Sequence, residues 1–207
     1  MLHYSTIEPR TLEILKKLMA IPELENFYLV GGTALSLYYG HRLSIDLDLF
    51  STKDFQPEEL AKILETRFSG FAYTISDKVG IFGFIEDVKV DFVKHHYFET
   101  ISPASVFDGI RLHSVNDIAA MKIAAILKRG VKKDFWDIAE ILQHISLSTI
   151  IDLYHQKYPS QQLLISIPQA LTYFDDAEES AMPVSLKSQE WEGIKQIIKE
   201  SVKEYLQ

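Results

Sequence analysis

The chain contains no cysteine. Disulfides are therefore excluded, and so are metal sites built on thiolates. The absence fits a reducing cytoplasm. Long apolar runs are missing too. No stretch reaches the length needed to cross a bilayer. The first residues, MLHYSTIEPR, lack the basic region and apolar run of a signal peptide. The expectation is a cytoplasmic protein with no membrane partner. Basic residues are in deficit. With 21 Lys and Arg against 29 Asp and Glu, the net charge is −8, which argues against a broad non-specific nucleic-acid surface and leaves room only for a local basic patch. No repeat or low-complexity tract is present. What the chain has in quantity is apolar: 47% of its 207 residues are hydrophobic, ample for a packed core in one domain or two small ones.

The most informative stretch is FYLVGGTALSLYYGHRLSIDLDLF, residues 27–50. Phe27–Val30 reads as a short buried strand, broken by Gly31 and Gly32. Thr33–Tyr39 reads as a short helix closed by Gly40, and His41–Ser44 as a polar loop. In the strand that follows, Asp46 and Asp48 alternate with Leu47 and Leu49. Successive strand side chains face opposite ways, so one face is apolar and the other doubly acidic. Two adjacent carboxylates repel unless a cation lies between them.

Before this stretch, Ser5 and Glu8 have capping-box spacing, and Ile7–Ala20 has helical periodicity. After it, Pro57 opens a helix whose buried stripe is Leu60, Ile63, Leu64 and Phe68. Phe71–Ile75 and Val79–Ile85 read as strands, and Glu86-Asp87 as a two-residue hairpin turn into Val88–Val93. Asp91 falls on the polar face of that last strand, beside Lys89. Pro103 and Gly109 mark loops between His95 and His113. From Val115 the pattern is helical: Val115–Arg129 with Ser114 as N-cap and Gly130 as C-cap, Lys133–His144, Leu147–Gln156, Ser160–Phe174 and Leu186–Leu206. Asp175–Ser185 reads as a mobile connection. The expected fold is α+β: a mixed sheet with flanking helices over residues 1–105, then a helical domain, residues 106–207, packed on it and contributing to the active site.

Three aspartates and two glycines suggest one chemistry. Mg²⁺ prefers carboxylate oxygens and substrate phosphates. Asp46, Asp48 and Asp91 can hold two such ions, which would clamp an in-line phosphoryl displacement. Gly31 and Gly32 admit a phosphate close to the backbone at a helix N-terminus, where Thr33 adds a hydroxyl. Lys122 lies on an apolar helix stripe with Arg129, and a buried lysine needs an anion. A triphosphate would serve, and so would Asp134 with Asp137. Each piece alone has a plain structural explanation: a tight turn, a solvated strand face, a snorkelling lysine, or Asp91 paired with a neighbouring lysine.

Together they resemble the nucleotidyltransferase superfamily of DNA polymerase β type. GGTALSLYYGHRLSIDLD, followed by Lys122, Arg129 and Lys133-Asp134-Phe135-Trp136-Asp137, is similar to its AbiEii/AbiGii toxin branch. The resemblance covers residues 27–141. It implies a phosphate loop at Gly31 and Gly32, and metal ligands Asp46, Asp48 and Asp91, with Asp91 as ligand or general base. It implies a triphosphate contact at Lys122. Asp134 and Asp137 would orient Lys122 and Arg129 or touch the nucleotide. Relatives often have serine at position 32 and arginine at position 133, so Gly32 lacks one hydroxyl and Lys133 cannot form a bidentate pair. The implied activity is Mg²⁺- or Mn²⁺-dependent transfer of a nucleoside monophosphate from an NTP to a tRNA or protein hydroxyl. The implied biology is that of a toxin with a cognate antitoxin. Lys128, Arg129, Lys132 and Lys133 form a basic run that would seat RNA. Two other readings use the same residues: an inactive nucleotide-binding or protein-interaction module, and metal-assisted phosphodiester hydrolysis.

Overall fold

The computed structural model describes residues 1–96 and 98–207. One seven-stranded sheet runs through the molecule in the order β3-β4-β5-β2-β1-β7-β6. Its strands are β1 (Phe27–Leu29), β2 (Leu47–Ser51), β3 (Ala72–Ser76), β4 (Gly80–Ile85), β5 (Val88–Lys94), β6 (Ser105–Phe107) and β7 (Ile110–Leu112). The helices are α1 (Pro9–Met19), α2 (Gly31–Tyr39), α3 (Pro57–Arg67), α4 (Val115–Lys128), α5 (Lys132–Leu142), α6 (Leu147–Lys157), α7 (Ile167–Thr172), α8 (Asp175–Glu178) and α9 (Trp191–Tyr205). No helix among the described residues is long and apolar enough to cross a membrane.

Alternation decides which face of the sheet is core. Leu47, Leu49, Val90 and Phe92 are fully buried on one face, where Phe92 meets Phe27 and Phe71 ring to edge. Deleting such a ring costs about 3–5 kcal/mol, because the cavity collapses only in part. The opposite face carries Asp48 and Phe50 on β2 and Asp91 on β5. β2 and β5 are parallel neighbours, with Asp48 directly opposite Asp91. The acidic alternation expected of β2 and β5 is thus present, and the register brings the two acids side by side.

Several local expectations change. Ser5 lies in a 3₁₀ turn, Tyr4–Thr6, so it cannot cap α1. Glu8 is the N-cap, without a side-chain bond, and Pro9 takes the first position. The β4–β5 hairpin forms without glycine, because Glu86 and Asp87 both adopt positive φ, 49° and 69°. That is what a two-residue type I′ turn requires. A second hairpin, β6–β7, turns on Asp108-Gly109 and adds two strands to the sheet. The sheet therefore continues through Leu112, past the expected boundary at 105. Ser114 does cap α4, accepting from Asp117 N. The helix expected over Ser160–Phe174 shrinks to α7, whose capping box begins only at Ser166 with Gln169. Leu164 is fully exposed in the preceding loop. The connection after Phe174 contains α8. Its later part is pinned by a β-bridge between Arg42 and Ser185, and α9 starts at Trp191 rather than near Leu186.

Candidate active site

Gly31 opens α2 directly from the end of β1, with φ +69°. Only glycine adopts that backbone without strain. A Cβ on Gly31 would stand 2.6 Å from Asp48 Oδ2, so the loop backbone and the carboxylate of β2 share one small space. Val30 N donates to the Asp48 carbonyl at 2.9 Å and fixes that approach. The first N–H groups of α2 have no carbonyl within the helix to bond.

Gly32 serves a different partner. A side chain there would collide with Arg42 Nη2. Arg42 is nearly inaccessible and bonds Asp137 through both nitrogens of its fork, Nε to Oδ1 at 2.7 Å and Nη2 to Oδ2 at 2.9 Å. His41 Nε2 lies 2.8 Å from the same carboxylate. Lys122 Nζ reaches Asp137 Oδ2 at 2.6 Å and Asp134 Oδ1 at 2.9 Å. Arg129 Nε donates to Asp134 Oδ2 at 3.0 Å from a half-exposed position. Three cationic side chains and His41 therefore converge on two fully buried carboxylates of α5. Burial opposes ionisation of Asp137, but Arg42, Lys122 and His41 hold its carboxyl well below the usual range. Burial alone would discharge Lys122, and Asp137 and Asp134 more than offset it, so its pKa is raised.

Asp134 is likewise held low, as Lys122 and Arg129 outweigh burial. Away from this network, Asp117 is held low against burial by Lys157 and Ser114. The sign of the pH effect follows. A carboxylate whose folded pKa is depressed stabilises the fold above its unfolded value of about 3.9, and that stability is lost as pH falls through the folded value. Burial also keeps His95 and His113 neutral, with pKa values lowered to about 3 and about 4, so unfolding takes up protons below about pH 6.5. The melting temperature should therefore stay nearly flat from about pH 8 to 7, fall below about pH 6.5 and keep falling below about pH 4. Melting curves across that range check this; a melting temperature that stays flat down to pH 5 would contradict it.

The acidic side is arranged differently. Asp48 is pushed up chiefly by burial; Lys89 and Lys122 relieve part of that push, and the charges of Asp91 and Asp46 work against the relief. Asp91 Oδ2 accepts from Lys89 Nζ. Its Oδ1 is buried with no hydrogen-bond partner among the described residues. Asp46, just ahead of β2, pairs with Lys133 Nζ at 3.3 Å. Among the described residues no three acids or histidines are gathered tightly enough to form a ready-made cation cage. The donor set still fits a hard divalent ion. It is all carboxylate, Asp48 and Asp91 face each other, one oxygen is orphaned, and Mg²⁺ commonly takes only one or two carboxylates with substrate phosphates completing its shell.

A cleft of about 520 Å³ opens here, with Gly31, Asp48, Lys122, Lys128 and Arg129 among the residues that line it. The structure thus brings together Gly31, Asp48, Asp91, Lys122, Arg129 and Asp134, with Asp46 at the rim. It moves Thr33 away: that residue is buried, and its hydroxyl bonds the Asp46 carbonyl and Ser44. The Thr33 hydroxyl braces the acidic strand instead of facing a phosphate. Lys132 also leaves the expected basic run, since it is buried with Nζ on the Ser180 carbonyl at 3.0 Å. Residues not anticipated are Arg42 and His41. No local signal marks them, since His41–Ser44 reads as a polar loop.

The fold is one shared with nucleotidyltransferases. A crystal structure described as that of a "putative nucleotidyltransferase from H. pylori" superposes with a TM-score of 0.56 at 18% identity, covering 96% of this chain and 95% of that one. MenT4, a nucleotidyltransferase toxin from Mycobacterium tuberculosis H37Rv, superposes at 0.54 and 11% identity, covering 93% and 82%. In sequence, the uncharacterized protein aq_aa25 of Aquifex aeolicus (strain VF5) is 32% identical over 200 residues, 94% of this chain and 95% of that protein. A family profile described as "Nucleotidyl transferase AbiEii toxin, Type IV TA system" matches residues 13–204. The chain belongs to that AbiEii nucleotidyltransferase toxin family.

Proposed function

We propose that the protein binds a nucleoside triphosphate in the cleft and transfers its nucleoside monophosphate to an acceptor hydroxyl, acting as the toxin of a toxin–antitoxin pair. The observation that carries this reading is the shared space of Gly31 and Asp48, where a phosphate-admitting backbone meets a carboxylate at 2.6 Å from its virtual Cβ. The free N–H groups at the start of α2 receive phosphate oxygens. Lys122 and Arg129, already oriented by Asp134 and Asp137, add positive charge from α4. Mg²⁺, or Mn²⁺, held by Asp48 and Asp91 with Asp46 would neutralise charge on the transferring phosphate. The acceptor oxygen bonds the α-phosphorus as the bond to pyrophosphate breaks, and the hydroxyl proton passes to the Asp91 carboxylate. The acceptor is a tRNA end or a protein hydroxyl. Lys128, Arg129 and Lys133 remain at the surface to meet an RNA backbone, without Lys132.

Lys122→Met separates transfer from simple hydrolysis, which needs no cation on the leaving phosphates. Transfer should fall about 10²–10³-fold, the scale for one lost charge-stabilising contact. Label from an α-labelled NTP, quantified in acceptor and in free nucleotide, reads the change. Undiminished release of free monophosphate by the variant would favour hydrolysis.

A further inference from the structure

Asp91 does not stand alone on its strand face. Lys89 precedes it by two residues on β5, so both side chains emerge on the same side of the sheet. Lys89 Nζ donates to Asp91 Oδ2. We propose that the Lys89 ammonium holds the place of a second divalent ion and leaves room for one, between Asp48 and Asp91. The inference rests on the cleft being a nucleotidyl-transfer site.

Geometry supports it first. Two-metal sites for phosphoryl displacement hold their ions about 3.5–4 Å apart, close enough to share carboxylates. Sharing needs an acid with both oxygens available. Asp91 has Oδ2 on the ammonium, and only its Oδ1 lacks a partner among the described residues. Asp46 is paired with Lys133 at 3.3 Å. What faces one ion is therefore Asp48 and a single oxygen of Asp91, on residues directly opposite each other. Lys89 reaches the other acids as well. It lines a hollow of about 230 Å³ together with Asp46. The charges of Asp91, Asp48 and Asp46 all act on it, and it acts on Asp48 more strongly than Lys122 does.

Chemistry supports it next. An ammonium is a compact charge with three donors. One N–H goes to Asp91, and two remain for an arriving acceptor oxygen. The Lys89 side chain is 42% exposed and that of Asp91 11%, so the pair can be approached from solvent. Positive charge at this point favours the acceptor oxygen as its proton passes to Asp91 Oδ1. An ion placed there would do the same work. The lysine does it at any metal concentration, because its own strand supplies it.

The test counts ions. Protein is mixed one to one, far above the dissociation constant, with an NTP analogue whose α,β-bridge is a methylene and cannot react. Mn²⁺ is then titrated, and free Mn²⁺ is read by electron paramagnetic resonance. Wild type is expected to bind one Mn²⁺ per complex. Lys89→Met is expected to bind two, because Asp91 Oδ2 is released. Lys89→Arg keeps a charge at that place and should stay at one. With a reactive NTP, transfer by Lys89→Met should fall about 10²-fold or more at the Mn²⁺ level that saturates wild type, and rise again as Mn²⁺ is added. Two ions on wild type, a count that does not depend on any variant folding, overturns the proposal and leaves the nucleotidyl-transfer site in place. One ion on Lys89→Met, or a loss of transfer that added Mn²⁺ does not repair, overturns it too. A wild type that binds neither analogue nor ion removes the nucleotidyl-transfer reading and this proposal with it.

Discussion

Arg42→Ala is expected to destabilise the protein by about 3–5 kcal/mol, the cost of leaving one partner of a buried pair without the other. Whole domains are stable by only about 5–15 kcal/mol, so a large part of the folded population is at stake. The argument rests on burial and geometry. The Arg42 and Asp137 side chains are 5% and 0% exposed, and the pair is bidentate. Without Arg42, Asp137 keeps Lys122 and His41 but loses two of its charge-assisted bonds. Arg42→Lys retains the charge and not the fork, so an intermediate loss is expected. Urea unfolding measures both. Gly32→Ala should produce part of the same defect from the other side, because its methyl group takes the space of Nη2. In an Arg42→Lys background that space is free, so the two substitutions should cost less together than the sum of each. Strict additivity would mean that Gly32 is not there to admit Arg42. The fork also explains a departure seen in the sequence. A serine at position 32 would donate a hydroxyl to phosphate elsewhere, but here its Cβ would meet a guanidinium locked in place.

Asp48→Asn is expected to reduce nucleotidyl transfer by at least about 10³-fold, the upper scale for losing one group that stabilises charge at a reacting centre. Stability should be unchanged or slightly higher. The Asp48 charge is held against burial and beside two other acids, and the neutral isostere removes that repulsion. Melting temperature and label transfer, measured on the same preparation, decide it. Loss of both together would mean that Asp48 is a structural residue.

Local periodicity made much of the site legible. Asp46, Asp48 and Asp91 stand out because a period of two separates them from buried leucines and valines. Lys122 stands out because it interrupts an apolar helical stripe. The β4–β5 hairpin was readable from the length of its break, although Glu86-Asp87 lacks glycine. The β6–β7 hairpin was not, because its strands are three residues long and expose Val106 and Phe107; the Asp108-Gly109 turn signal looked like an ordinary loop. Helix was over-read at Ser160–Phe174 because Leu163, Leu164 and Ile165 resemble a buried stripe, whereas Leu164 is fully in solvent. Arg42 could not be read as a site residue, since its partner is 95 positions away and spacing says nothing about such a pair. Lys132 and Lys133 look alike in sequence, and only packing separates the lysine tied to backbone carbonyls from the one at Asp46.

The central claim is that the Gly31 loop and the Asp48 carboxylate form one nucleotidyl-transfer site. Wild-type protein is incubated with Mg²⁺, total cellular RNA and protein, and each NTP labelled in turn at the α- or the γ-phosphate. Acceptor label should appear from the α-position only, with one pyrophosphate released per transfer, and Asp48→Asn should show none. Acceptor label from the γ-position, or α-label recovered only as free monophosphate, would contradict the account.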